Sequence, residues 1–134
     1  MNERGDDSMK ITGFSWLGVG VDDFDEAVGF FRDVMGLRVA VESDTGVAMF
    51  QVANRQVLEI FGPGTSGKER TTPPVMAFEV EDIGAARREL AAAGVELIGE
   101  LGSWNGFEWQ YFVGPGGHTL AIKTTPADGW EKTA

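Results

Sequence analysis

Residues 21–39 read VDDFDEAVGFFRDVMGLRV, and residues 80–97 read VEDIGAARRELAAAGVEL. Both run valine, acid, aspartate, apolar residue, helical stripe, glycine, apolar strand. Val21 corresponds to Val80, Asp23 to Asp82, and Gly36 to Gly94 after a one-residue gap. In the first copy Asp23 is placed as an N-cap with Glu26 three residues on, the pattern of a capping box. Phe24, Ala27, Val28, Phe31, Val34 and Met35 then form an apolar stripe at helical spacing, and Gly36 ends it as a glycine just past a helix does. Downstream, NRQVLEIFGPG (54–64) parallels GGHTLAIKTTP (116–126). The chain is therefore read as two copies of one unit of about 60 residues.

Each unit decodes as strand, helix and three strands. The first has strands near 12–20, 37–43, 46–53 and 56–61 and a helix at 24–35; the second has strands near 75–80, 95–101, 107–113 and 118–124 and a helix at 83–93. SDTG (43–46) and GPGG (114–117) read as turns, and GPGTSGKERTTP (62–73) as the linker. A half of this size rarely folds alone, so one domain over 11–126 is expected, with units 11–64 and 74–126. Residues 1–10 read as a disordered arm and 127–134 as a tail whose Trp130 folds back.

Composition narrows the function. The chain has 134 residues, 43% of them hydrophobic, and a formal net charge of −10. Nucleic-acid phosphates need Lys and Arg for neutralisation, so a nucleic-acid partner is not expected. The acidic field favours cationic ligands weakly. With no Cys, disulfide, thiolate and Cys-zinc chemistry are excluded. No apolar run reaches the ~20 residues of a membrane span. The polar start MNERGDDSMK lacks the apolar core of a secretion signal, so the cytoplasm is the expected compartment.

The paired units, together with VDDFDEAVGFFRDVMGL, FEVEDIGAARRELAAAGV and YFVGPGGHTLAI, resemble the vicinal oxygen chelate superfamily of glyoxalase I, extradiol dioxygenases, fosfomycin resistance enzymes and bleomycin resistance proteins. The resemblance covers residues 11–126. It implies an α+β fold in which two βαβββ units form curved mixed sheets around a shared cleft, the glyoxalase/bleomycin resistance/dioxygenase fold. Metal-dependent members place four ligands on the first and last strand of each unit. Counted from the helix caps and the terminal turn, these places fall on Trp16, Glu59, Val75 and Ala121. Only Glu59 offers a donor, so no metal and no other cofactor is expected. Because the superfamily hosts many activities, the fold does not name one.

The first strand raises a separate question. Its alternation puts Phe14, Trp16, Gly18 and Gly20 on the face that the resemblance makes concave, and Leu17, Val19 and Val21 on the core side. Two glycines there leave room for something to approach the backbone, or else Trp16 closes a solid core. In FEWQYFV (107–113), Phe107, Trp109 and Tyr111 alternate against Glu108, Gln110 and Phe112, while Phe112 and its counterpart Phe50 belong under the helices. The expected ligand-binding set is Trp16, Met49, Glu59, Trp104, Phe107, Trp109 and Tyr111: apolar walls with a few polar groups. Such exposed aromatics also mark interfaces, and a homodimer is expected. Glu59 is the one catalytic candidate, as general base or as counter-ion for a cation. His118, the single histidine, stands in the hairpin turn and is read as structural.

Three functions are weighed. The first is a metal-free, bleomycin-resistance-like protein sequestering an aromatic or cationic small molecule, such as a planar natural product. The second is a metal-free enzyme using Glu59 as acid/base. The third, a divalent-metal lyase or dioxygenase, is opposed by Trp16, Val75 and Ala121.

Overall fold

The computed structural model describes residues 9–53 and 55–126. Residues 1–8, Asn54 and the tail 127–134 with Trp130 lie outside the described residues. The fold is α+β. Its described residues form two compact units, one of residues 16–76 and one of residues 9–15 with 77–126.

The first unit holds most of strand β1 (Ile11–Gly20), helix α1 (Phe24–Gly29), β2 (Arg38–Ser43), β3 (Val47–Gln51), β4 (Val57–Phe61) and a short helix α2 (Gly67–Arg70). Its strands follow the order β2-β3-β4-β1. The β2–β3 and β3–β4 pairs are antiparallel and β1 runs parallel to β4. Val28 of the helix is buried together with Ala48, Phe50, Leu58 and Ile60 of the strands, with Val19, Phe24 and Phe31 packed against them. Asp23 Oδ1 accepts from the backbone N–H of Glu26 at 3.0 Å, which satisfies one orphan donor of the helix start.

The second unit repeats this plan with β5 (Val75–Val80), α3 (Ile83–Ala92), β6 (Leu97–Trp104), β7 (Phe107–Val113) and β8 (Thr119–Thr124). Its order is β5-β8-β7-β6, with β5 parallel to β8 and the other pairs antiparallel. Asp82 Oδ1 caps α3 through the Ala85 N–H at 3.0 Å. Val80, Ile83, Ala86, Phe112 and Ile122 form the core. Met9, expected in the arm, is half-buried against it. Residues 11–15 of β1 also belong here: Thr12 Oγ1 donates to the Glu79 carbonyl, and the Phe14 ring lies 5.5 Å from that of Phe78.

Three expectations need correction. The helix read over 24–35 is α-helical only to Gly29 and continues as a π-helix over Phe30–Val34. The one-residue surplus between Asp23 and Gly36, relative to Asp82 and Gly94, is absorbed by this wider turn, in which the Met35 N–H donates to the Phe30 carbonyl at 3.1 Å. The widening carries Val34 and Met35 off the core stripe, and they are 73% and 56% exposed. Leu17, read as core, is also exposed, because the helix covers the Val19 end of the strand. The linker was read without structure, yet it contains α2.

The linker also decides what the glycine face of β1 is for. A Cβ at Gly18 would lie 2.2 Å from Trp16 Cη2 and 2.8 Å from Thr71 Cγ2, and one at Gly20 would lie 2.2 Å from Thr72 Oγ1 and 2.4 Å from the Lys68 carbonyl oxygen. The Gly20 N–H donates to the Thr71 carbonyl at 3.0 Å. Glycine is needed at both positions for the chain's own packing, not for an approaching ligand. Gly18→Ala should therefore destabilise by about 1–3 kcal/mol through overpacking. Gly29→Ala, at a helical φ of −60° with no foreign atom nearer than 4.0 Å, should stabilise by about 0.5–1 kcal/mol. Urea unfolding followed by circular dichroism reads both changes.

Among the described residues the Ser15 hydroxyl is buried without a hydrogen-bond partner. Ser15→Ala removes an unsatisfied polar group, so the same measurement should show stability unchanged or raised by about 1 kcal/mol.

Candidate functional site

The expected site residues divide between the two units. Trp16, Met49 and Glu59 belong to the first. Gly18 and Met49 are register partners of Glu59 in β1 and β3, so strand pairing alone brings Glu59 to the centre of that face. The Trp16 indole N–H donates to Glu59 Oε1 at 2.8 Å, and its ring meets Phe61 edge-on at 6.3 Å between centroids. Trp16 is 7% and Met49 5% exposed, while Glu59 is half-buried. The two apolar residues thus form a packed floor, and the carboxylate is the part within reach of solvent. One of its oxygens is oriented by the indole.

Trp104, Phe107, Trp109 and Tyr111 belong to the second unit. Phe107 is 1% exposed and Trp104 is 41% exposed; Trp109 and Tyr111 are intermediate. Trp104 stacks on Phe107 with ring centroids 6.1 Å apart. Trp109 pairs with Gly102 across β6–β7, and a Cβ at Gly102 would lie 2.2 Å from the indole Nε1. The missing side chain lets the ring lie against the neighbouring strand. Behind this face, fully buried Gln110 holds the irregular stretch of β6. Its Nε2 donates to the carbonyls of Ile98, Gly99 and Tyr111 at 2.9–3.1 Å, and its Oε1 accepts from Arg87 Nε of α3 at 2.8 Å.

Sequence reasoning missed Lys123. It pairs with Trp109 across β7–β8, is 5% exposed, and sets its Nζ 4.9 Å from the Phe107 ring centroid. The signal was present, since Lys123 is two residues from Ala121 and shares its face, but the lysine was read only as the end of a strand.

A second polar feature lies in the first unit. Gly20, Asp22, Lys68, Glu69 and Thr72 line a depression of about 320 Å³. Lys68 Nζ donates to Asp22 Oδ1 at 2.6 Å. That hydrogen bond, with the lysine's charge, holds the Asp22 carboxyl below its ordinary value. Both groups are thereby paired with each other, and at the surface such a pair is worth little.

The places that metal-dependent relatives are read to use do not fit a metal ion. Trp16, Val75 and Ala121 offer no lone-pair donor, and all three are buried. Glu59 already accepts the indole N–H. Among the described residues no group of three His, Cys, Asp or Glu side chains converges, and no helix is long and apolar enough to cross a membrane.

Comparison with known proteins agrees with this architecture. No curated protein matches the chain. Among solved structures, methylmalonyl-CoA epimerase from Mycobacterium tuberculosis is 20% identical with a TM-score of 0.68, over 90% of this chain and 93% of that one. A superfamily member from Vibrio splendidus 12B01 is 20% identical with a TM-score of 0.59, over 81% of this chain and 95% of that one. The Mn(II)-bound glyoxalase from Novosphingobium aromaticivorans is 21% identical with a TM-score of 0.65, over 86% of this chain but 39% of that one. At these identities the likeness is one of fold. A family profile matches residues 13–122, nearly the whole of both βαβββ units, and the chain belongs to the Glyoxalase/Bleomycin resistance protein/Dioxygenase superfamily.

Proposed function

We propose that the chain is a metal-free small-molecule-binding member of this superfamily, taking an aromatic or cationic ligand by sequestration. The observation that supports it is the Trp16–Glu59 hydrogen bond of 2.8 Å, which joins an indole and a carboxylate at two of the places where metal-dependent relatives are read to carry ligands. In the second unit Trp104, Trp109 and Tyr111 are the rings with surface left to offer a ligand; in the first, Glu59 is the charged group with surface left. Trp16 and Met49 are the buried residues of the first unit's set, and Phe107 of the second's.

A second reading keeps the same residues and adds turnover. Its support is the orientation of Glu59, since a half-buried carboxylate held by a hydrogen bond at one oxygen is placed to accept a proton. Product formation from a bound compound, lost in Glu59→Gln, separates an enzyme from a sequestering protein.

Titration with proflavine, a planar aromatic cation, should quench tryptophan fluorescence. Trp109→Ala should weaken binding roughly tenfold, the equivalent of about 1.4 kcal/mol, within the range of one stacked pair. Glu59→Gln should weaken proflavine more than an uncharged acridine. Unchanged affinity in both folded variants sinks the proposal.

Protein purified without chelators should contain no stoichiometric zinc, nickel, manganese or iron by elemental analysis. A full equivalent of any of them refutes the metal-free reading.

Self-association completes it. Phe14, Phe30, Val34 and Met35 are large apolar side chains more than 45% exposed, and such surface favours pairing with a second copy. Light scattering at tens of micromolar should give the mass of a dimer; a monomer there refutes it.

A further inference from the structure

Lys123 has no role in the binding reading above, and its setting is unusual for a lysine. Lys is almost never fully buried unless something compensates its charge. Here the residue is 5% exposed, and its Nζ stands over the face of Phe107 at 4.9 Å. The negative face of a ring attracts a cation, and more strongly when water is excluded. Phe107 is in turn backed by the stacked Trp104 ring. Strand pairing puts Lys123 directly opposite Trp109, and Ala121 opposite Tyr111. Lysine, Trp109, Tyr111 and Phe107 therefore share one face of β7–β8, and Gln110, Phe112 and Ile122 share the other with the core. Ala121 keeps the place beside the lysine small.

We infer that Lys123 is a ligand-binding residue, and that the ligand of this aromatic face carries a carboxylate or another oxyanion attached to its ring system. The inference rests on the aromatic branch of the binding reading and sets an acid group in place of its cation. A fixed ammonium flanked by rings recognises an acid group joined to an aromatic body: the rings take the body, and the ammonium takes the charge. Glu79 of β5 is the register neighbour of Lys123. The ammonium has three N–H donors, so it serves a ligand oxygen alongside partners within the protein. The global field works against any such ligand, since the chain's formal charge is −10. A preference for an anion over its neutral analogue therefore needs a local cation to explain it.

The test is calorimetric titration of the full chain with three ring-matched probes: 2-naphthoate, naphthalen-2-ylmethanol and naphthalen-2-ylmethylammonium. Wild type should bind 2-naphthoate at least tenfold more tightly than the alcohol. Lys123→Met should erase that difference by weakening 2-naphthoate at least tenfold more than the alcohol, and Lys123→Arg, which keeps the charge, should retain a preference for the acid. Equal affinity of wild type for acid and alcohol overturns the inference, as does a preference that persists in folded Lys123→Met. Should that variant not fold, Lys123→Arg and the wild-type comparison decide alone: loss of the preference in folded Lys123→Arg, or its absence in wild type, counts against the inference. Binding of the alcohol or the ammonium without preference for the acid sinks this inference and leaves the binding reading standing. No binding of any probe sinks this inference, and the proflavine titration then decides the binding reading.

Discussion

A side chain at position 18 would occupy the place of the Trp16 indole. Because glycine is there, the ring folds back along its own strand, reaches Glu59, and leaves space for Thr71 to settle against the backbone. Gly20 does the same for Thr72 and the Lys68 carbonyl. The linker thus rests on β1 through two missing side chains, and the Gly20 N–H fastens it to the Thr71 carbonyl. Much of the first unit's inner face depends on this. The orientation of Glu59, the burial of Trp16 and the course of residues 67–72 are consequences of one pair of absent Cβ atoms.

The two units share a topology and differ in what they do with it. In each, a first strand runs parallel to a last strand, an aspartate caps the helix, and a phenylalanine of the third strand packs beneath it. The opposite faces have diverged. The first unit pairs an indole with a carboxylate. The second sets a buried ammonium over the Phe107 ring, on which Trp104 stacks, and Gln110, satisfied by three carbonyls and an arginine, braces the irregular strand behind this face. Repetition constrains the residues that make the core, because each helix must cover one face of its strands. It leaves the other face free to change, and there the places that the sequence reading assigns to metal ligands hold Trp16, Glu59, Val75 and Ala121.

The sequence by itself determined the order of elements. Capping aspartates, terminal glycines and the spacing of apolar residues are local, so the repeat, all eight strands and both long helices could be placed within a few residues. The one-residue gap between the copies even marked the π-helical turn, although its meaning was not drawn from it. Alternation along a strand likewise sorted Phe50 and Phe112 to the core and Glu59 to the other face. The tertiary structure decided what covers each face. Leu17 is exposed because the helix ends short of it, and Gly18 is filled because an indole two residues away and a linker threonine meet over it. Lys123 lies over Phe107 because β7 and β8 pair in one register. None of these follows from periodicity, which says which side of a strand a residue takes but not which distant atoms arrive there.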